Sequence, residues 1–148
     1  MDDQQTIGAI LKEFYKDKVF ADDSSVTSWV HVQIGPLKFP FPNLKQRREA
    51  VYLHDLTHLL TGYDTTWTGE GEIAAWELAS GFPRRYWIGY VYPPMTFLIG
   101  LIIAPAKVIK AFRRGLGQKN VYKLQMERPM LEKMTISELK EKLKSSKF

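Results

Sequence analysis

From Leu44 to Thr61 the chain contains neither proline nor glycine, and Gly62 follows where a helix would have to stop. Glycine reaches the left-handed backbone conformation that closes an α-helix at little steric cost, so this stretch predicts one long, cleanly ended helix. The same punctuation divides the rest of the chain. Thr6 to Lys18 carries Ile7, Ile10, Leu11 and Phe14 at helical spacing, with Lys and Glu on the opposite side, which predicts an amphipathic first helix. Ala21 to Asn43 holds Pro36, Pro40, Pro42 and the run Asp22-Asp23-Ser24-Ser25. It reads as a long loop with a short extended piece at Val30 to Ile34. A further helix is expected from Thr68 or Gly69 to Gly81, just before Pro83, with Glu70 and Glu72 in its first turn, where the helix dipole favours carboxylates. Met134 to Phe148 predicts a last, Lys-rich helix with Ile136, Leu139 and Leu143 inward.

Tyr86 to Ala106 carries no formal charge, a length close to the ~20 apolar residues of a membrane-spanning helix. Gly89, Pro93, Pro94, Gly100 and Pro105 interrupt it, and basic residues stand on both sides (Arg84, Arg85; Lys107, Lys110, Arg113, Arg114). A run so broken, without charge asymmetry, reads instead as two short apolar helices separated at Pro93-Pro94. The second is expected from about Met95 to Arg114, capped by Gly115. The sum is an all-α, single compact multi-helix domain over residues 1–148, long enough for one core.

Composition narrows the chemistry. There is no cysteine, so disulfides and thiolate metal sites are excluded and His, Asp and Glu are the strong ligands left. The net charge of +5 is unevenly placed: from Arg84 onward the only acidic residues are Glu127, Glu132, Glu138 and Glu141. Such a basic half attracts anionic surfaces or phosphorylated molecules, but charge alone is no argument for nucleic-acid binding, and none is expected. The polar, acidic start Met1-Asp2-Asp3 has no basic or apolar signal segment, and a cytoplasmic location is expected.

The chain has three histidines, and two of them, His54 and His58, stand four apart on the predicted long helix. That spacing stacks them one turn above each other, close enough to share a divalent metal ion. Asp55, about 100° further round the helix, is either a third oxygen ligand or the acceptor that orients an imidazole. Glu70 would arrive from the next helix as it folds back. Leu53, Leu56 and Leu60 on the opposite side of the helix argue for enclosure. Glu77, two turns along from Glu70, is a possible proton carrier or outer support, or an ordinary surface residue. Ile73, Trp76 and Leu78 read as core, Tyr63 and Trp67 as lining for a pocket mouth, and His31 as a surface or core histidine. Zinc proteases carry Glu, not Asp, after the first His of such a pair, and no aspartate follows Asp64 to complete an HD-type phosphohydrolase site.

His54-Asp55-Leu56-Thr57-His58, followed after the Gly62 break by Gly69-Glu70, then Trp76-Glu77, Gly81-Phe82-Pro83 and Arg113-Arg114-Gly115-Leu116, resembles in order the segments of the coenzyme Q (ubiquinone) biosynthesis family known as Coq-four. The likeness covers roughly Leu44 to Leu124 and is that of a short bacterial-type relative. It implies an all-helical protein with a zinc-type site on His54, Asp55, His58 and Glu70, peripherally membrane-associated, handling polyprenylated quinone precursors. It further implies oxidative decarboxylation at ring carbon C1, or a lipid-binding scaffold role among other quinone-biosynthesis enzymes. A homo-oligomer is expected.

Overall fold

A computed structural model describes residues 5–16, 29–34, 37–42, 45–81 and 92–146. The fold is all-α: seven α-helices among the described residues, with one antiparallel pair of strands. In chain order these are α1 (Ile7–Lys16), β1 (Trp29–Ile34), β2 (Leu37–Pro42), α2 (Lys45–Thr61), α3 (Trp67–Ser80), α4 (Tyr92–Ile103), α5 (Pro105–Gly115), a 3-10 turn (Val121–Lys123), α6 (Arg128–Glu132) and α7 (Ile136–Ser145).

The helix ends follow from local chemistry. Gly62, at φ +78°, closes α2 and gives its N–H to the His58 carbonyl at 2.8 Å. Thr66 caps α3 by accepting the Gly69 N–H, and Gly81 ends it with a bond to the Glu77 carbonyl. The last helix starts on a reciprocal pair in which the Glu138 N–H donates to Thr135 Oγ1 and the Thr135 N–H to Glu138 Oε2. This cap satisfies two donors that a bare helix end would leave unpaired.

Three elements differ from the sequence expectation. The extended piece expected at Val30 to Ile34 is β1, and the rest of the stretch read as loop supplies its hairpin partner β2, with His31 opposite Pro40 and Trp29 opposite Pro42. Pro40 and Pro42 are two apart, so both of their donor-less nitrogens turn the same way, off the outer edge of a two-stranded ladder where no bond is lost. Pro93 and Pro94 do not break a helix; they lie in the first turn of α4, where the missing N–H groups have no intrahelical partner anyway. The break comes later, at Ala104 before Pro105. The expected helix ahead of Pro93 lies outside the described residues.

Among the described residues two apolar clusters hold the helices. One joins Ile7 and Leu11 of α1 with Leu53 and Leu56 of α2, Val121 and Tyr122, Leu131 of α6 and Leu139 and Leu143 of α7. Fully burying a side chain the size of Leu56 contributes ~2 kcal/mol. The other joins Ala75 of α3 to Val108 and Ala111 of α5, with Tyr63, Phe97, Leu101 and Phe112 packed on it. Helix α3 packs along both α4 and α5. Its crossing with α4 is so close that a Cβ on Gly71 would sit 2.7 Å from the Gly100 Cα. Backbone contact of this kind sets the position of α3, and therefore of Glu70 in its first turn. Among the described residues no helix is long and apolar enough to cross a membrane.

Candidate metal centre

Helix α2 sets the His54 and His58 rings 4.9 Å apart and nearly perpendicular, as the four-residue spacing predicts. The turn from Gly62 to Thr66 reverses the chain so that the first turn of α3 delivers Glu70 to both rings. Its Oε2 lies 3.1 Å from His54 Nε2 and its Oε1 3.3 Å from His58 Nε2. One ligand atom from each residue falls within a 4.8 Å cluster. Donors bonded to one tetrahedral ion at ~2.0–2.1 Å stand about 3.3 Å apart, so the two His–Glu separations have the right scale for a shared ion.

The far sides of the two rings decide which nitrogen faces the cluster. His58 Nδ1 lies 3.0 Å from the Tyr63 carbonyl, which can only accept, so Nδ1 carries the proton and Nε2 presents a lone pair. His54 Nδ1 faces both oxygens of Glu77, each at 3.3 Å, which favours a proton there too. Two imidazole lone pairs and a carboxylate then converge, an arrangement that calls for a cation. A proton on His54 answers part of that demand. Burial by itself would lower the pKa of His54, but the charge of Glu77 and the hydrogen bonds to Glu70 and Glu77 outweigh it and hold the imidazole well above its ordinary range. In return, the contacts from His54 and His58 overcome burial and hold the Glu70 carboxyl below the usual carboxylate range. His58 Nε2 stays buried and without a hydrogen bond, because its lone pair faces, at 3.3 Å, a Glu70 oxygen that can only accept as well. One divalent ion would satisfy all three groups, so the residues fit a metal.

Of the four ligands expected from the sequence, the structure therefore brings together His54, His58 and Glu70. Asp55 is buried on the side of α2 that meets α1, where its Oδ2 accepts the Tyr15 hydroxyl at 2.9 Å. It is not one of the three residues whose ligand atoms converge among the described residues. Glu77 is no surface residue: it is fully buried, behind His54, and the Tyr122 hydroxyl lies 3.1 Å from its Oε1 and equally from the Ala50 carbonyl. A carboxylate that grips the outer nitrogen of a ligating histidine fixes the ring and strengthens it as a donor. Ile73 and Trp76 are core, as expected, with Leu78 half-buried; Tyr63 is half-buried and Trp67 exposed. His31 is in β1, and its expected place at the surface or in the core lies outside the described side chains.

Sequence reasoning missed Tyr122, Tyr15 and the Tyr63 carbonyl. A backbone carbonyl leaves no mark in a sequence, and the two tyrosines meet Asp55 and Glu77 from elements far along the chain. Comparison with protein-family models, curated proteins and solved structures found no match.

Proposed function

We propose that this protein binds Zn2+, or another divalent cation, through His54, His58 and Glu70, and uses it on a polyprenylated hydroxybenzoate-type ring in ubiquinone or related prenylquinone biosynthesis. The observation that carries the metal is the buried, unbonded Nε2 of His58 facing the carboxylate that His54 also faces. The substrate class rests on the likeness of the spaced His-Asp-x-x-His and Glu segments to the Coq-four family.

Three converging protein donors favour a reactive centre over a structural one, because a structural zinc is usually closed by four protein ligands whereas a catalytic one keeps a position open. Such an ion supplies Lewis acidity that polarises a carboxylate or phenolate oxygen. The chain's own part is to hold that site in shape: Glu77 keeps the His54 proton at Nδ1, the Tyr63 carbonyl keeps that of His58 at Nδ1, and Tyr122 steadies Glu77. His54 and Glu70 each retain 17% side-chain exposure, a path by which a ring carboxylate can approach.

The prenyl tail and the membrane association are supported by the elbow between α4 and α5. Leu98, Ile102, Ile103 and Ile109 are exposed there, with Lys107, Lys110 and Arg113 exposed alongside. An apolar surface collared by cations suits an isoprenoid lipid and an anionic headgroup layer. The same surface would serve a non-catalytic lipid-binding scaffold.

Metal analysis of purified wild type and His58→Ala, together with incubation of the wild type with polyprenylated 4-hydroxybenzoate under air and mass spectrometry of the products, tests the proposal. Stoichiometric metal in the wild type alone is expected, with a quinone product in which an oxygen stands in place of the carboxyl group, the carboxyl leaving as CO2 and O2 being reduced to water. Metal without any turnover would leave the scaffold reading, and a metal-free wild type would end the proposal.

A further inference from the structure

Resting on the metal centre proposed above, we infer that Arg114 is a positioning residue for it, acting from α5 through the Gly62 turn on His58. The contacts form one line. Arg114 Nη1 donates to the Thr61 carbonyl at 3.1 Å, and its guanidinium lies over the Tyr63 ring, 5.3 Å from the ring centre. The Tyr63 carbonyl in turn accepts the Nδ1 proton of His58.

Thr61 and Tyr63 flank Gly62, whose positive φ places the chain in a turn with open space around it: a Cβ built there would meet nothing within 4 Å. The turn is therefore not held by packing at its own centre. The Thr61 carbonyl belongs to the last turn of α2, where carbonyls lack intrahelical donors and a cation is favoured by the helix dipole. Arg114 supplies both the donor and the cation, and its flat guanidinium also covers the next ring. One side chain thus grips the turn on both sides of the glycine.

What the turn presents is the Tyr63 carbonyl, and that carbonyl determines which nitrogen of His58 is protonated. If the turn relaxes, His58 is free to carry its proton on Nε2, and the lone pair facing Glu70 is lost. Arg114 touches neither the three converging donors nor the position open to substrate. Its influence is on the tautomer of one ligand.

Long-range 1H–15N NMR of the imidazoles in the metal-free protein reads that tautomer directly, and chelator competition reads Zn2+ affinity. For Arg114→Met the His58 signal is expected to move from the Nδ1–H toward the Nε2–H pattern, with zinc affinity falling roughly tenfold. Arg114→Lys, which keeps the charge but not the planar cover of Tyr63, should fall between, and it carries the test if the Met variant does not fold. Lys140→Met, which removes an exposed cation on α7 that has no part in the centre or in the lipid-facing elbow, should match the wild type in both readings. A folded Arg114 variant with the wild-type tautomer and zinc affinity within twofold of the wild type overturns the inference. If the wild type takes no zinc, the metal proposal fails, and the tautomer alone still decides whether Arg114 sets His58.

Discussion

Glu77 stands directly behind His54, both carboxylate oxygens 3.3 Å from Nδ1, and is itself fully buried. Replacing it with Gln keeps the size but removes the charge and leaves one accepting oxygen for both the His54 proton and the Tyr122 hydroxyl. Glu77→Gln is expected to weaken zinc binding about tenfold to hundredfold while the protein stays folded, the scale seen when outer partners of ligating histidines are removed. Glu77→Ala should also lower stability by ~1–3 kcal/mol, since Tyr122 and His54 lose a buried partner. Chelator competition and thermal unfolding separate the two effects, and an unchanged zinc affinity in the Gln variant would refute the role given to Glu77.

The metal-free and metal-loaded proteins should respond to pH in opposite directions. The folded pKa of His54 is raised above 6.5, so its contribution to metal-free stability is complete below pH 6.5 and is lost as pH rises through the folded value. The folded pKa of Glu70 is lowered below 4.5, so its contribution is complete above that pH and is lost on descending through its folded value. The pair therefore stabilises the metal-free chain most between about pH 4.5 and 6.5. Bound metal needs His54 without its second proton, so the stability gained on adding zinc should grow with pH above that window. Melting temperatures with and without zinc from pH 5 to 9 check this; a zinc increment that shrinks as pH rises contradicts it.

How much of this was legible beforehand depends on distance along the chain. His54 and His58 declare themselves because one helical turn separates them, and Gly62 marks the helix end by its conformation. Glu70 was legible through its spacing after His58 in a recognisable series of segments. Tyr15 and Tyr122 were not: they contact Asp55 and Glu77 across 40 and 45 residues, and no local period encodes such a meeting. Proline misled twice for one reason. Its effect depends on whether its nitrogen faces a bonding partner, as it would within a helix, or not, as in β2 and in the first turn of α4.

Asp55 separates a three-donor site from a four-donor one. Its carboxylate receives the Tyr15 hydroxyl, whose own pKa is pushed up by burial and by Asp55. Tyr15→Phe should therefore lower stability by ~1.5–3 kcal/mol, the range for a hydrogen bond to a charged group, without changing zinc stoichiometry. Asp55→Asn should likewise retain zinc where His58→Ala loses it. Were Asp55→Asn to lose zinc as completely as His58→Ala, Asp55 would be a ligand and the open position would close.

The crossing of Gly71 and Gly100 ties the architecture to the centre. A methyl at either position would meet the facing backbone at 2.7 Å, and backbone cannot rotate aside as a side chain can. Gly71→Ala and Gly100→Ala are each expected to cost ~1–3 kcal/mol, a fall of roughly 3–10 °C in melting temperature. The second methyl adds less once the helices have been pushed apart, so the double variant should be less damaging than the sum of the two. Because Gly71 adjoins Glu70, its substitution should weaken zinc binding more than Gly100→Ala does at equal loss of stability. Equal affinities in the two variants would show that the crossing supports the fold without positioning the carboxylate.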